Sequence, residues 1–170
     1  MQESMRDLYG WALWWQSPRI CELGVRSGHS TVAFLSALEA EGSRGHYGHL
    51  WSFDLEEPQV PEAVAGCPWW TFTRADARDD AAPLLLPRPV DVLFLDLDPH
   101  TYESTYAELE LWAPTVARGG VILVHDAGTA LFPGVPDAMA DYQRAAAGQG
   151  RTLDLRVKPG EYGLGILRAR

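Results

Sequence analysis

ICELGVRSGHST, residues 20–31, opens as an apolar, strand-like run and ends it in Glu22-Leu23-Gly24. Gly28 follows, and then at once a helix-start signal in Ser30-Thr31. Two glycines four apart, between a strand and a helix, point to a backbone that turns tightly and leaves room beside it. The exposed amides of the new helix's N-terminus would face a polar or anionic ligand. The stretch reads as the ligand loop of a doubly wound α/β domain.

Outward from this loop, strands and helices alternate. The first strand covers about 19–24 and a helix about 30–41, with Gly42 suited to its end. HLWSFD (49–54) is a second strand ending in a carboxylate, Pro58 and Pro61 break the chain before a short helix, and WTFTR (70–74) is a third strand running into Ala75-Asp76. VDVLFLD (90–96) is nearly all apolar, as a central parallel strand covered on both faces must be. A helix over 102–117 precedes a turn at Gly119-Gly120 and a fifth strand, VILVHD (121–126). A helix over 136–147 leads to strands at 152–157 and 163–167, joined through Pro159-Gly160. That short turn permits a hairpin, so one of the two runs antiparallel to its neighbours. The alternation predicts a mostly parallel sheet with helices on both faces and ligands at the carboxyl ends of the strands. Asp54, Asp76, Asp96 and Asp126 all lie at or just past such ends.

At 170 residues with 46% hydrophobic content, the chain is expected to be one globular domain, 1–170. A net charge of −9 argues against nucleic acid as the main partner. No apolar run is long enough to span a membrane. The first residues, with Glu3 and Asp7, lack a signal-peptide layout, so a cytoplasmic location is expected. Cys21 and Cys67 form no CxxC pair, and a buried thiol is the expected role of Cys21. Residues 2–16 read as a helix with Leu8, Trp11, Trp14 and Trp15 on one face. That face packs on the sheet or, alternatively, forms an aromatic lid over the crevice.

These residues resemble a family, the class I S-adenosylmethionine-dependent methyltransferases, over about 18–168. Glu22-x-Gly24-x-x-x-Gly28 is similar to their first motif. Asp54 stands where their ribose-binding acid ends the second strand, and Ala75-Asp76 resembles the pair that contacts adenine. DLDPHTYESTYAELELWAP (96–114) followed by GGVILVHD (119–126) resembles the small-molecule O-methyltransferases, the branch of macrolide-sugar, cephalosporin-pathway and catechol-type enzymes. The resemblance implies a seven-stranded sheet of order 3-2-1-4-5-7-6 with the last strand antiparallel. It implies S-adenosylmethionine as cofactor, held by Glu22, Gly24, Gly28, Ser30, Asp54, Asp76 and Asp96, and a small-molecule acceptor. Relatives in this branch often bind a divalent cation. This chain departs from them in an extra residue, Pro99, within Asp96–Tyr102, and in His125, where several metal-dependent relatives have an acid. It also lacks most of the N-terminal helices that commonly cap the substrate site, which a homodimer partner or the tryptophan helix would then cover.

The chemistry follows from residue type. Asp96 and Asp126 end strands expected to be neighbours, and two such carboxylates repel unless a cation or proton sits between them. Their oxygens suit Mg2+, and nearby His100 and His125 would also admit a transition ion. The alternative is that these acids orient substrate or cap loops. Methyl transfer needs a positioned acceptor stripped of its proton. His100 is the first candidate base and His125 the second, since imidazole titrates near neutral pH. His29 would brush the cofactor, Glu103 and Glu110 would be solvated, and Trp69 and Tyr47 would flank adenine. Trp51, Trp70 and Trp112 read as core. A nicotinamide-dependent oxidoreductase is the rival enzyme, disfavoured by the absence of G-x-G-x-x-G. A non-catalytic interaction module is the other.

Overall fold

The computed structural model describes residues 2–87, 89–161 and 163–170. The elements in chain order are α1 (Gln2–Ala12), β1 (Arg19–Leu23), α2 (His29–Gly42), β2 (His49–Asp54), α3 (Glu62–Ala65), β3 (Trp70–Arg74), β4 (Val90–Leu95), α4 (Tyr102–Trp112), β5 (Val116–Val124), α5 (Gly134–Gly148), β6 (Leu153–Lys158) and β7 (Leu164–Ala169). The seven strands form one sheet of order β3-β2-β1-β4-β5-β7-β6. The strands from β3 to β5 pair in parallel, and β7 runs antiparallel to both β5 and β6. This is the expected order, with the expected reversed strand.

Side chains alternate across each strand, so the sheet buries two faces. On one, Ile20, Leu50, Val92, Phe94, Val121 and Leu123 pack under Leu8 and Ala12 of α1 and Phe34, Ala37 and Leu38 of α2. On the other, Cys21, Leu23, Phe53, Leu93, Leu95, Ile122 and Val124 meet Leu109 and Trp112 of α4 and Val135 and Met139 of α5. Trp112 is fully buried, and its indole N–H donates to the Ala77 carbonyl at 2.6 Å.

Three boundaries differ from expectation. The first helix stops at Ala12, before Ser17 turns through a left-handed φ of 56° ahead of Pro18. Its tryptophans therefore do not share one buried face, and Trp14 stands 62% exposed beneath the Arg168 guanidinium. The helix expected over 102–117 ends at Trp112, because Pro114 has no N–H to continue the ladder and a 3-10 turn at Ala113–Thr115 follows. The strand expected from 121 instead starts at Val116, and Gly119-Gly120 form an irregularity inside it rather than a turn before it.

Candidate functional site

The bend between β1 and α2 is built by its glycines. Gly24 has a φ of 88°, and a Cβ there would lie 2.1 Å from the Asp96 carbonyl oxygen; Gly28 has a φ of 72°, and a Cβ there would lie 2.5 Å from Val60. Both require a residue without a side chain. Gly28 caps α2 with no side-chain hydrogen bond. Ser30 and Thr31, expected as the start signal, sit inside the first turn and point at Glu22 instead. Thr31 Oγ1 donates to Glu22 Oε2 at 2.8 Å, as Ser52 Oγ of β2 does at 2.7 Å. The Trp70 indole N–H in turn donates to Ser52 Oγ, which makes that half-buried ring part of a polar chain rather than plain core. Glu22 is fully buried, and burial pushes its carboxyl up to about 7 against the opposing pull of the Ser30, Ser52 and Thr31 hydroxyls.

Asp54 ends β2 and holds the bend from the side. Its Oδ2 accepts the amides of Val25 at 2.8 Å and Arg26 at 3.1 Å, and its Oδ1 accepts the Glu56 amide at 3.2 Å. Burial works to raise this carboxyl, but those amides and that of Leu55 outweigh it and leave it below its ordinary value. Between the bend and the strand tips lies a cleft of about 460 Å³, lined by residues that include Gly24, Arg26, Asp54, Asp76, Arg78 and Asp96. Of the seven residues expected to hold a cofactor, Gly24, Asp54, Asp76 and Asp96 line this cleft. Glu22, Gly28 and Ser30 lie behind it, buried under the bend.

Beside Asp96 a second cluster forms. Asp96, His100 and His125 each offer a ligand atom, all within 4.8 Å of one another. His125 Nδ1 lies 3.1 Å from Asp96 Oδ1 and 3.4 Å from Asp126 Oδ2. His100 Nε2 lies 3.7 Å from both Asp96 Oδ1 and Asp126 Oδ2, and 3.5 Å from Asp98 Oδ1. Strict alternation would have sent His125 and Asp126 to opposite faces. Asp126 instead adopts a left-handed φ of 59°, which turns its carboxylate back toward the histidines. Burial lowers the His125 pKa, but Asp96 and Asp126 outweigh it and hold the imidazole charged above its usual range. Asp126 is 8% exposed, and burial raises its carboxyl despite both histidines.

Residues 21–127 match the family described as a methyltransferase domain. The chain belongs to that family. No curated protein matches it. Among solved structures, this methyltransferase is similar to a TDP-rhamnose 3'-O-methyltransferase of calicheamicin biosynthesis, with 21% identity, 98% of this chain and 77% of that chain covered, and a TM-score of 0.67. It is similar to the cofactor-bound protein Rv0187 from MTB, with 19% identity, coverage of 100% and 81%, and a TM-score of 0.71. An O-methyltransferase from Bacillus cereus, solved with SAH, gives 17% identity, coverage of 100% and 82%, and a TM-score of 0.65. At these identities the likeness is one of fold.

Two expectations need correction. Tyr47 and Trp69 do stack on each other, at 5.2 Å between ring centres, but they precede β2 and β3. They therefore sit at the amino ends of the strands, across the sheet from the cleft, and cannot flank a base bound there. His29 is turned into its own loop, with Nδ1 2.7 Å from Ser27 Oγ, and is not among the cleft's lining residues. Four residues were missed from sequence: Arg26, Arg78, Asp98 and Glu108. Arg26 Nη1 lies 3.5 Å from Asp98 Oδ2 across the cleft mouth. Arg78 reaches from the loop after β3 to Glu108 Oε1 at 3.1 Å. Nothing in local patterning links positions 30 apart, though the proximity of Asp98 to Asp96 was a usable hint. Among the described residues, no helix is long and apolar enough to cross a membrane.

Proposed function

We infer that the chain acts as one domain that transfers a methyl group from S-adenosylmethionine to an oxygen of a small molecule. One observation carries this reading: the side-chain-free bend at Gly24, braced by Asp54, lines a cleft that shares Asp96 with the cluster of His100 and His125. The residues fit the cofactor. Gly24 lets the bend close against the Asp96 carbonyl at the cleft wall, and the lining acids Asp54, Glu56, Glu57, Asp76, Asp96 and Asp98 outnumber the lining cations Arg26 and Arg78, which suits a sulfonium. When bound, S-adenosylmethionine supplies an electrophilic methyl for in-line displacement. Asp54 and Asp76 would hold its ribose and adenine ends, since carboxylates accept from hydroxyl and amino donors.

The remaining work falls to the protein's own groups. His100, with Asp96, Asp98 and Asp126 around Nε2, would take the acceptor hydroxyl's proton there. Phe132, 5.0 Å from the His100 ring, would back the acceptor and exclude water. Asp96, Asp126 and His125 are the donors that would hold a divalent cation, and their mixed oxygen and nitrogen set admits Mn2+ as readily as Mg2+. A cation there would lower the acceptor hydroxyl's pKa.

Calorimetric titration with S-adenosylhomocysteine and with NAD tests the reading. Heat with the first alone supports it, and heat with NAD alone overturns it. Binding without turnover across a panel of phenols and sugars would favour a non-catalytic module.

A further inference from the structure

Arg78 stands where two walls meet. Its own amide donates to Asp76 Oδ1 at 2.9 Å, which anchors it to the loop after β3 that walls the cleft. Its guanidinium crosses to the other side. Nη2 donates to the backbone carbonyl of Asp98, to Glu108 Oε1 at 3.1 Å and to Ser104 Oγ at 3.4 Å. Ser104 Oγ also donates to Glu108 Oε1 at 2.7 Å. Glu108 is 4% exposed, on the buried side of α4. The carbonyl that Arg78 grips is two residues before His100, in the segment linking β4 to α4.

An exposed ion pair would be worth little. This contact differs in two ways. Its carboxylate is buried, so removing the cation strands a charge in a poorly solvated place. Its other acceptor is main chain, so the guanidinium fixes the path of a loop and not merely a neighbouring side chain. All three acceptors meet the single nitrogen Nη2, and lysine, one atom shorter, could stand over Glu108 but would not reach the same point.

We propose that Arg78 is a positioning residue that couples filling of the cofactor cleft to the placement of His100. This rests on the methyltransferase reading of the cleft. A ligand filling the space beside Asp76 and Asp96 packs against the β3 loop, and through Arg78 that loop clamps the Asp98 carbonyl. The acceptor side is thereby held more firmly when the cofactor side is occupied.

The test uses the full chain with Arg78→Gln and Arg78→Lys, the second keeping a cation over Glu108 should the first fail to fold. Hydrogen–deuterium exchange of the peptide spanning 96–103 is followed with and without S-adenosylhomocysteine, beside calorimetric affinity and, with an acceptor, kcat and KM. In the wild type the ligand should slow exchange in this peptide by about fivefold or more. Both variants should lose most of that slowing while ligand affinity changes by less than about fivefold, with kcat at saturating cofactor down roughly tenfold or more. Slowing equal to wild type overturns the proposal. So does a loss of ligand affinity with kcat at saturation intact, which would make Arg78 part of the adenine wall alone. Should the wild type bind no S-adenosylhomocysteine, the reading of the cleft fails separately. The ligand-free comparison then decides the clamp: faster exchange in the variants supports it, and an unchanged rate overturns it.

Discussion

Thr31, in the first turn of α2, donates a hydrogen bond from its hydroxyl to Oε2 of Glu22, one residue from the end of β1, across 2.8 Å. The bond ties the helix that begins at the bend to the strand that leads into it. Ser52 donates to the same oxygen, while Oε1 has no hydrogen-bond partner among the described residues. A buried carboxyl so placed is better off neutral, which is why its pKa rises from 4.5 to about 7.

Stability should therefore carry a Glu22 signature. Between pH 4.5 and about 7 the folded chain keeps a proton that the unfolded chain has lost. This contribution is full below the unfolded value and disappears as pH rises through the folded one. Glu22→Gln, neutral throughout, lacks it. The gap in urea-unfolding free energy between variant and wild type should drift by on the order of 3 kcal/mol from acid to pH 8, in the variant's favour. A pH-independent gap would refute the assignment.

Asp54 is expected to matter for the bend more than for the fold. Asp54→Ala removes the acceptor of the Val25 and Arg26 amides, and S-adenosylhomocysteine affinity should fall by about tenfold to a hundredfold. Asp54→Asn, which keeps one carbonyl oxygen, should fall between. Asp126→Ala, outside the cleft lining, should leave that affinity within about threefold. Calorimetry on the three variants separates these outcomes.

A cation at Asp96, Asp126 and His125 predicts its own pH dependence. The two carboxylates keep His125 protonated above its ordinary range, and a protonated imidazole cannot ligate. Mn2+ affinity should thus climb as pH rises through that shifted value, with proton release visible in buffers of different ionisation enthalpy. Asp96→Asn should weaken Mn2+ binding by roughly tenfold or more. Full turnover after exhaustive chelation would remove the cation from the reaction.

Two glycines of positive φ should behave differently. At Gly24 a methyl group would sit 2.1 Å from the Asp96 carbonyl, whereas at Gly119, with a φ of 80°, nothing lies within 4 Å. Gly119→Ala should cost about 1–2 kcal/mol for conformation alone. Gly24→Ala should cost more than about 3 kcal/mol and abolish nucleoside binding. Equal costs in chemical denaturation would mean that the close approach to Asp96 is not a constraint.

Legibility in the sequence followed the range of the interactions. Strand periodicity, apolar runs and the resemblance together gave the sheet order and its reversed strand, because each element carries its own pattern. The glycine bend and the acids at strand tips were visible for the same reason. Boundaries set by a single residue were harder: Pro114 ended a helix that periodicity would have carried onward, and Gly119-Gly120 served a strand rather than a turn. The return of Asp126 toward His125 depends on one backbone dihedral. The Arg78–Glu108 contact joins the loop after β3 to α4 through tertiary packing, and no local pattern encodes it.

The reversed strand has a consequence for how the chain is made. β7 occupies the slot between β5 and β6, and its register with β5 pairs Val121 with Arg168 and Val124 with Gly165. As synthesis proceeds, everything up to β5 can assemble while one flank of Val121–Val124 still bears raw amides and carbonyls. Nascent chains halted before residue 164 should therefore be sticky and dependent on chaperones, and a fragment cut to the family-matched residues 21–127 should self-associate through that flank.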